Sequence, residues 1–598
     1  MTTESQNQPR LAPKRGDEDF AVFRENGIYY ADKTQYLKPI FAGTASRLLL
    51  LRPRRFGKTL TMSTLRRFLE IDYKNPGVTS RQQELFRGLR VMDDREFCGE
   101  HMGRHPVVSL SLKDADGIGF DDAYGSLADT ISDLAQDFLW LDGPLLTEDE
   151  HDFLERLADF DCMMKPANRG LVEKSLVFLC RLLRKRFGDS HKPVLLIDEY
   201  DVPIQKAAAG GYYEPMSSVV GTMLNKALKD HDDICKVILT GCLPATGEAI
   251  FAGVNGLCTD TVLARGNGLS AAIGFTPAEA RAMLDYYGFG DLYEKAAGWY
   301  DGYSIGGEDL FCPWDITSHV RELCRSRDPA SVRPKSHWNL TGSSNFVAGF
   351  MPRLAPDDAD RMQDLIAGRS ISLPADQGMS YGTLDFNNLS SSEFWNLLIY
   401  TGYLTLSGTG SGIANELRIP NREILEYFRD GISGYYRNTW SREYDALVRS
   451  LMERLLSVDS SGSEESLGAL LGGFVPLEEN AAKHPCGNFY RSFLNGLFAA
   501  AERSISDCRF LYGNGLADIT FRSAGRTMAV VIRIEYAAES STDLRNLADR
   551  TLRQIGEKGY AKKFWLRGTR SVVECGMAFR GRCCAVRCRK LLPETPGS

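Results

Sequence analysis

No apolar run in the chain approaches the ~20 residues that a membrane-crossing helix needs. The opening Met1-Thr-Thr-Glu-Ser-Gln-Asn-Gln8 is polar and lacks the apolar centre of a secretory signal. These absences argue against a membrane protein and predict a cytoplasmic one. Positive charge is not in excess either: 71 basic residues face 78 acidic ones, for a net charge of −7, so any contact with nucleic acid has to be a local patch. Histidine is scarce at 8 residues, and none stands among the C-terminal cysteines Cys575, Cys583, Cys584 and Cys588. Those cysteines also lack the two spaced pairs of a zinc site. The 14 cysteines, scattered along a chain with no secretory signal, are expected to be reduced and buried rather than paired.

What is present is a globular composition, 43% hydrophobic and 25% charged, spread over 598 residues, which is too long for one core and predicts three or four domains. The stretch that organises the rest is Arg47-Leu-Leu-Leu-Leu-Arg-Pro-Arg-Arg-Phe-Gly-Lys-Thr59, an apolar run that breaks into a basic turn and then a helical pattern. It reads as strand, phosphate loop and helix. In such a loop backbone N–H groups hold the β-phosphate, a Lys reaches the β/γ oxygens and a Thr hydroxyl ligates Mg²⁺, the roles of Lys58 and Thr59 here. The general pattern asks for Gly six residues before the Lys, where this chain has Arg52. A basic turn that happens to end in Gly57-Lys58-Thr59 is the competing reading.

Two further strands favour the phosphate loop. Pro193-Val-Leu-Leu-Ile-Asp-Glu-Tyr-Asp201 is an apolar run ending in carboxylates, as a buried parallel strand does at its functional edge. Asp198 is placed to hold Mg²⁺ and Glu199 to polarise an attacking water. Lys236-Val-Ile-Leu-Thr-Gly241 brings Thr240 to the same edge, where it is expected to sense the γ-phosphate.

The run Arg52 to Leu60, with Tyr30-Ala-Asp-Lys-Thr34, Leu196-Ile-Asp-Glu-Tyr-Asp-Val-Pro203 and Thr240-Gly-Cys-Leu243, resembles the AAA-ATPase-like family of bacterial proteins. The similarity extends through Glu248-Ala-Ile-Phe-Ala-Gly-Val-Asn255, Gly274-Phe-Thr-Pro-Ala-Glu279, Trp299-Tyr-Asp-Gly-Tyr303, Pro313-Trp314, Gly402-Tyr-Leu and Ile419-Pro-Asn421. In that family Arg is the expected first loop residue. The resemblance implies ATP and Mg²⁺ as ligands, with Arg52, Pro53, Arg54, Arg55, Phe56, Gly57, Lys58 and Thr59 about the nucleotide. It departs from the family at Pro244 and Gly247, where Arg and Lys are usual. The implied fold class is α/β: a P-loop NTPase core with a parallel sheet, a helical lid, a winged-helix-like middle region and a C-terminal α/β restriction-endonuclease-like domain.

The expected division is a disordered tail over 1–16, an ATPase core over 17–272, lid and connection over 273–390, a winged-helix-like region over 391–456, a linker over 457–480 and the last domain over 481–598. Core strands are predicted at 48–52, 107–112, 193–198 and 235–240. Thr276-Pro-Ala-Glu279 fits a capping box that opens the lid. Asp32 and Lys33 sit in an aromatic entry segment, read equally as core packing or as part of the site. The hairpin tip Ser407 to Gly412 carries no basic residue, which favours a structural or interaction module over a DNA contact. The Ser/Gly-rich run Ser457 to Glu465 reads as a loop.

The C-terminal segment resembles a PD-(D/E)XK-type nuclease domain, with a hairpin over 516–536, a helix over 542–558 and a strand over 563–566. Asp518 and Gln554 match that pattern. The third strand does not, because Arg533 takes the acidic position and Glu535 the Lys position, and Gly487 and Arg491 depart upstream. A guanidinium beside the metal position should abolish two-ion binding, and two same-face side chains about 6 to 7 Å apart can pair with one another instead. From Lys562 to Lys590 nine basic residues face the single acid Glu574, a stripe suited to a DNA or RNA backbone or to a solvated sheet face. Three readings stay open: an ATP-driven switch or motor acting on nucleic acid with a degenerate nuclease domain, an ATP-controlled interaction protein with little turnover, and an active ATP-regulated nuclease. Oligomeric state, including a homo-oligomer, is left undetermined.

Overall fold

The computed structural model describes residues 13, 16, 18–141, 145–229, 232–244, 251, 254, 256–266, 268–337, 356–366, 368–373, 390–407, 415–428, 443–472, 490, 494, 508–511, 519–523, 527–537, 542–557, 564–565, 569–580 and 583–593. The chain forms two compact units, one of residues 1–335 with 372–422, the other of 336–371 with 423–598.

The first unit is built on a parallel sheet of β1 (Arg47–Leu51), β2 (Val107–Ser111), β3 (Val194–Asp198), β4 (Lys236–Gly241) and β5 (Leu257–Asp260), in the order β2-β3-β4-β1-β5. Every residue of β3 and β4 is buried, as in a sheet covered on both faces. Leu48 to Leu51 on β1 are at most 4% exposed, and each such side chain contributes about 1.5–3 kcal/mol by leaving water. The helices α1 (Lys58–Leu69), α2 (Phe120–Gln136) and α3 (Arg169–Phe187) pack on this sheet. The four predicted strands agree with β1 to β4 to within a residue at each end. β5 escapes the pattern because Leu257-Cys-Thr-Asp260 is short, half-exposed and not continuously apolar.

The register aligns the carboxyl ends: Leu50 pairs with Thr240 and with Asp260, and Ser111 pairs with Asp198. The loop after β1, the acids after β3 and the turn after β4 therefore meet at one edge, where ligands of open α/β sheets sit.

Beyond the sheet, α4 (Pro277–Tyr286), α5 (Tyr293–Tyr300) and α6 (Pro313–Arg325) enclose an apolar cluster that includes Met283, Leu284, Tyr300, Phe311 and Ile316. The capping box at Thr276 is formed, with Thr276 Oγ1 accepting from Glu279 N and Glu279 accepting from Thr276 N. Lys33 Nζ donates to Glu279 at 2.5 Å and to the carbonyl of Ala271. Asp32 accepts from Thr34 and from the amide of Arg90. Both residues thus fasten the entry segment to its neighbours. Helix α7 (Ser391–Tyr400) leads into an antiparallel pair, β6 (Thr405–Leu406) and β7 (Asn415–Arg418); the tip between them lies outside the described residues.

The second unit carries a sheet of β8 (Cys508–Leu511), β9 (Ile519–Ser523), β10 (Met528–Tyr536), β11 (Ser571–Arg580) and β12 (Cys583–Leu591), in sequence order. β10 and β11 are parallel and the other pairs antiparallel. One face packs on α8 (Glu443–Leu456) and α9 (Ser460–Gly472) through Leu451, Leu467, Ile532, Cys575 and Phe579. The other face carries α10 (Leu544–Glu557).

Two expectations are corrected here. The Ser/Gly-rich run expected as a linker is the start of α9, because Leu467, Leu470 and Leu471 bury against the sheet and tertiary packing overrides a loop-like composition. Of the strand expected at 563–566, only Phe564 and Trp565 are among the described residues, and they are helical: Phe564 packs beside Ile555 and Val572, and the parallel partner of β10 is β11. The run at 563–566 is short, whereas β11 is buried along nine of its ten residues.

Candidate functional site

Gly57, with φ +100°, caps α1 in a left-handed conformation that favours a residue without Cβ, and Arg55 beside it has φ +70°. Lys58 opens the helix but turns back across the loop and is almost wholly buried. Its Nζ donates to the carbonyls of Arg52 at 3.2 Å and Pro53 at 3.3 Å, touches Cys242 Sγ at 3.4 Å and pairs with Glu199 at 3.2 Å. Burial opposes its charge, yet Cys242 and the carboxylates of Glu199, Asp201 and Asp198 raise its pKa above the ordinary lysine value. The amine is therefore charged at neutral pH.

Asp198, at the end of β3, accepts from Thr59 Oγ1 at 2.6 Å on one carboxylate oxygen and from Thr240 Oγ1 on the other. Burial raises its pKa while those two hydroxyls lower it, leaving it above the usual carboxylate value. Thr240 is fully buried and its hydroxyl donates to Asp198, which positions that acid.

Glu199 follows at φ +53°, a left-handed conformation for a residue with Cβ that costs of order 1–3 kcal/mol. The backbone is held there by the next residues. Tyr200 N donates to Thr240 O, and its hydroxyl to Leu243 O at 2.5 Å. Asp201 accepts the amides of Cys242 and Leu243 at 2.9 and 3.0 Å. A Cβ on Gly241 would stand 2.5 Å from the Tyr200 ring and 2.7 Å from Asp201, so the close approach of these two turns depends on that glycine. Pro244, next along, is buried and brings no charge to the edge.

Arg52 has a fully buried guanidinium, with Nη2 on Asp260 Oδ2 at 2.8 Å and on Leu269 O at 3.1 Å, and Nη1 on Leu51 O and Asp260 O. Its side chain braces β5 against the loop, and only its carbonyl reaches Lys58. Phe56 is also core, edge-on to Tyr303 at 4.9 Å. Arg55 lies over Trp314 at 5.1 Å, and Arg54 donates to Gln205 at 2.7 Å.

Sequence reasoning missed Cys242 as a contact of Lys58, Asp260 as the partner of Arg52, and Asp201 as the anchor of the turn after β4. Only Asp201 carried a signal, as the third acid of the Asp198-Glu199-Tyr200-Asp201 run. Hard oxygen ligands suit Mg²⁺, and Thr59 and Asp198 supply two of them in mutual contact beneath a charged amine. The residues present fit that ion.

In the second unit Arg533 Nη2 lies 3.5 Å from Glu535, on the β10 face toward α10. Gln554 is exposed, and Asp518, Gly487 and Arg491 lie outside the described residues. A Cβ on Gly576, the register partner of Arg533, would stand 2.4 Å from Ala548 O. Helix α10 thus crosses directly over that position. Of the basic stripe, Arg589 is paired with Glu574 at 2.6 Å, Arg587 with Glu464 and Asp549, and Arg580 with the carbonyl of Thr542.

A parallel sheet whose first strand runs through a glycine-capped loop into a helix, with a buried amine and an acid-bearing strand at the same edge, defines a P-loop-like α/β class. Residues 14–251 match the family model of the AAA-ATPase-like proteins, described as predicted AAA-ATPase. The match supports a general ATPase-like role for this region, and such a family implies use of nucleotide and ordinarily of Mg²⁺. The chain is also 26% identical over 580 residues to a protein of Azotobacter chroococcum described as "uncharacterized protein in vnfD 5'region", covering 92% of this chain and 93% of that one. No helix among the described residues is long and apolar enough to cross a membrane.

Proposed function

We propose that the first unit binds ATP at the loop from Arg52 to Thr59 and hydrolyses it as a conformational switch. The observation that carries this reading is the charged, buried Lys58 amine beside the Thr59–Asp198 contact at the carboxyl edge of a parallel sheet. Thr59 and Asp198 would hold Mg²⁺, which neutralises charge on the phosphate oxygens when bound. Backbone amides at the start of α1 bind and orient the phosphates. Lys58 moves its donors from the carbonyls of Arg52 and Pro53 to the phosphate. Glu199, released from Lys58, holds the water that attacks and takes its proton. Thr240 keeps Asp198 in place.

Titration of labelled ATP in the presence of Mg²⁺ tests the assignment. Lys58→Ala should lose at least tenfold in affinity, and equal binding by the two proteins would show the loop to be wrongly assigned. A second reading, an ATP-controlled interaction protein with little turnover, is favoured by buried Pro244 in place of a basic contact. ATP binding without phosphate release, with or without DNA, would select it.

For the second unit we propose a noncatalytic role. The Arg533–Glu535 pair puts a fixed positive charge where a metal-dependent nuclease needs a carboxylate. Intramolecular pairing of Arg580, Arg587 and Arg589 reduces the charge on offer to DNA or RNA, so nucleic-acid contact rests on what remains of the stripe. No cleavage of single- or double-stranded DNA with Mg²⁺ or Mn²⁺ is expected.

A further inference from the structure

We propose that Cys575 and Cys588 form a reversible disulfide, a modification site in the second unit that is independent of the nucleotide reading. The two residues are direct register partners in the antiparallel ladder of β11 and β12, and their sulfurs are 2.9 Å apart. Directly opposed antiparallel residues have Cα atoms about 4.5 to 5.5 Å apart, inside the 4.4 to 6.8 Å range a disulfide spans, so closure needs no shift of backbone. The register at this point is secured on one side by the pair of Glu574 with Arg589. On the other side Arg587, opposite Gly576, is tied to Glu464 and Asp549.

The two thiols differ in surroundings. Cys575 is fully buried in the core beneath α8 and α9, whereas Cys588 is half-buried and can be reached from solvent. The amide of Cys588 donates to Ser460 Oγ at 3.0 Å, which fixes the strand at the attacking residue. The contact with Cys575 and a hydrogen bond from Ser460 lower the pKa of Cys588, while burial raises that of Cys575. Cys588 is therefore the thiol that reacts first, as the more accessible of the two. Cys584, also on β12, is turned to the carbonyl of Glu464, and Cys583 is exposed at the strand's start. Neither faces Cys575.

The oxidant is a small-molecule disulfide of the glutathione class. The Cys588 thiolate attacks one sulfur of that disulfide, forming a mixed disulfide and releasing one thiolate. Cys575 then gives up its proton and attacks the Cys588 sulfur, and the second thiolate leaves. Both leaving thiolates are protonated. Two electrons pass from the protein dithiol to the reagent, which becomes two thiols. The product covalently joins β12 to β11 in the sheet that α8 and α9 rest on.

The test uses the full chain. Reduced protein is equilibrated with glutathione buffers of rising oxidised fraction, free thiols are blocked by alkylation, and the intact mass and digested peptides are measured. The expected result is a species that lacks two of the alkyl groups carried by the fully reduced protein, a cross-linked peptide joining Cys575 to Cys588, and full reversal by dithiothreitol. In Cys588→Ser that species should be missing at every ratio, while Cys583→Ser and Cys584→Ser should retain it. Alkylation of both Cys575 and Cys588 in the wild type at every ratio would overturn the proposal. So would a cross-link that joins Cys588 to Cys583 or Cys584 instead. The wild-type measurement stands whether or not the serine variant folds.

Discussion

Lys58 and Glu199 are paired at 3.2 Å, and in the proposed reading a bound phosphate competes with Glu199 for the amine. A partly exposed ion pair of this kind is worth about 1 kcal/mol, roughly a fivefold change in an equilibrium constant. Glu199→Gln is therefore expected to bind ATP about fivefold more tightly while losing turnover, as measured by ATP titration and phosphate release. Unchanged affinity would show that the pair does not compete with nucleotide, and an unchanged rate would remove Glu199 from the chemistry. Arg52 behaves otherwise, because it and Asp260 are each only 1% exposed. Removing one partner of such a pair costs about 3–5 kcal/mol by leaving a buried charge alone. Arg52→Ala should lower the chemical-denaturation midpoint strongly, and Asp260→Asn should do so similarly, the double variant losing less than the sum. A selective loss of ATP affinity at wild-type stability would assign Arg52 to the ligand. Gly57, Lys58, Thr59 and Asp198 were legible in the sequence because each lies in a short run whose local pattern fixes its place. The Arg52 and Cys242 contacts were not, since their partners stand 208 and 184 residues away along the chain.

At the scale of elements, the start of β2 is joined to the helix before it by a histidine contact. His105 shares a ring-nitrogen contact with His101 at 3.2 Å, places its other nitrogen 3.3 Å from Lys192 O, and stands edge-on to Phe41. Burial lowers its pKa from 6.5 to about 4, the Lys192 carbonyl acts in the opposite sense, and His101 and His191 add to the lowering. A group held below its unfolded pKa stabilises the fold above that unfolded value, and its contribution is lost as pH falls through the folded one. Between pH 6.5 and 4 this amounts to roughly 3 kcal/mol. Urea midpoints measured from pH 7.5 down to 4.5 should fall in wild type and fall less in His105→Gln. Parallel slopes would assign the acid sensitivity elsewhere. Asp198 and Asp201, whose burial raises their pKa, act in the opposite sense, and the comparison of variants cancels them. The same scale shows where reading by composition stops. A buried parallel strand announces itself as a continuous apolar run, as β3 does. A helix such as α9 is helical because of what it lies on: its Ser463 and Ser466 are buried, and Glu464 caps the amide of Val586 across 122 residues.

For the whole molecule, the division into two units cuts the chain differently from the linear domain list that composition suggests. The boundaries fall between 335 and 336, 371 and 372, and 422 and 423, so the polypeptide passes from one unit to the other three times. Segment 336–371 belongs with the C-terminal residues, and segment 372–422 returns to the sheet-bearing unit. Such an arrangement is hard to see in sequence, because two of the three passages fall inside regular elements, the strand Ile371–Leu373 and the helical turn that starts at Arg422, and neither carries a break in composition. It makes the chain a running stitch. A seam sewn with one thread parts at a single cut, whereas here a cut at any one passage leaves at least one piece that holds a segment of the other unit. Limited proteolysis that nicks one passage should leave fragments that travel together on a sizing column and separate only in denaturant. Release of a free unit after one nick would unpick that division.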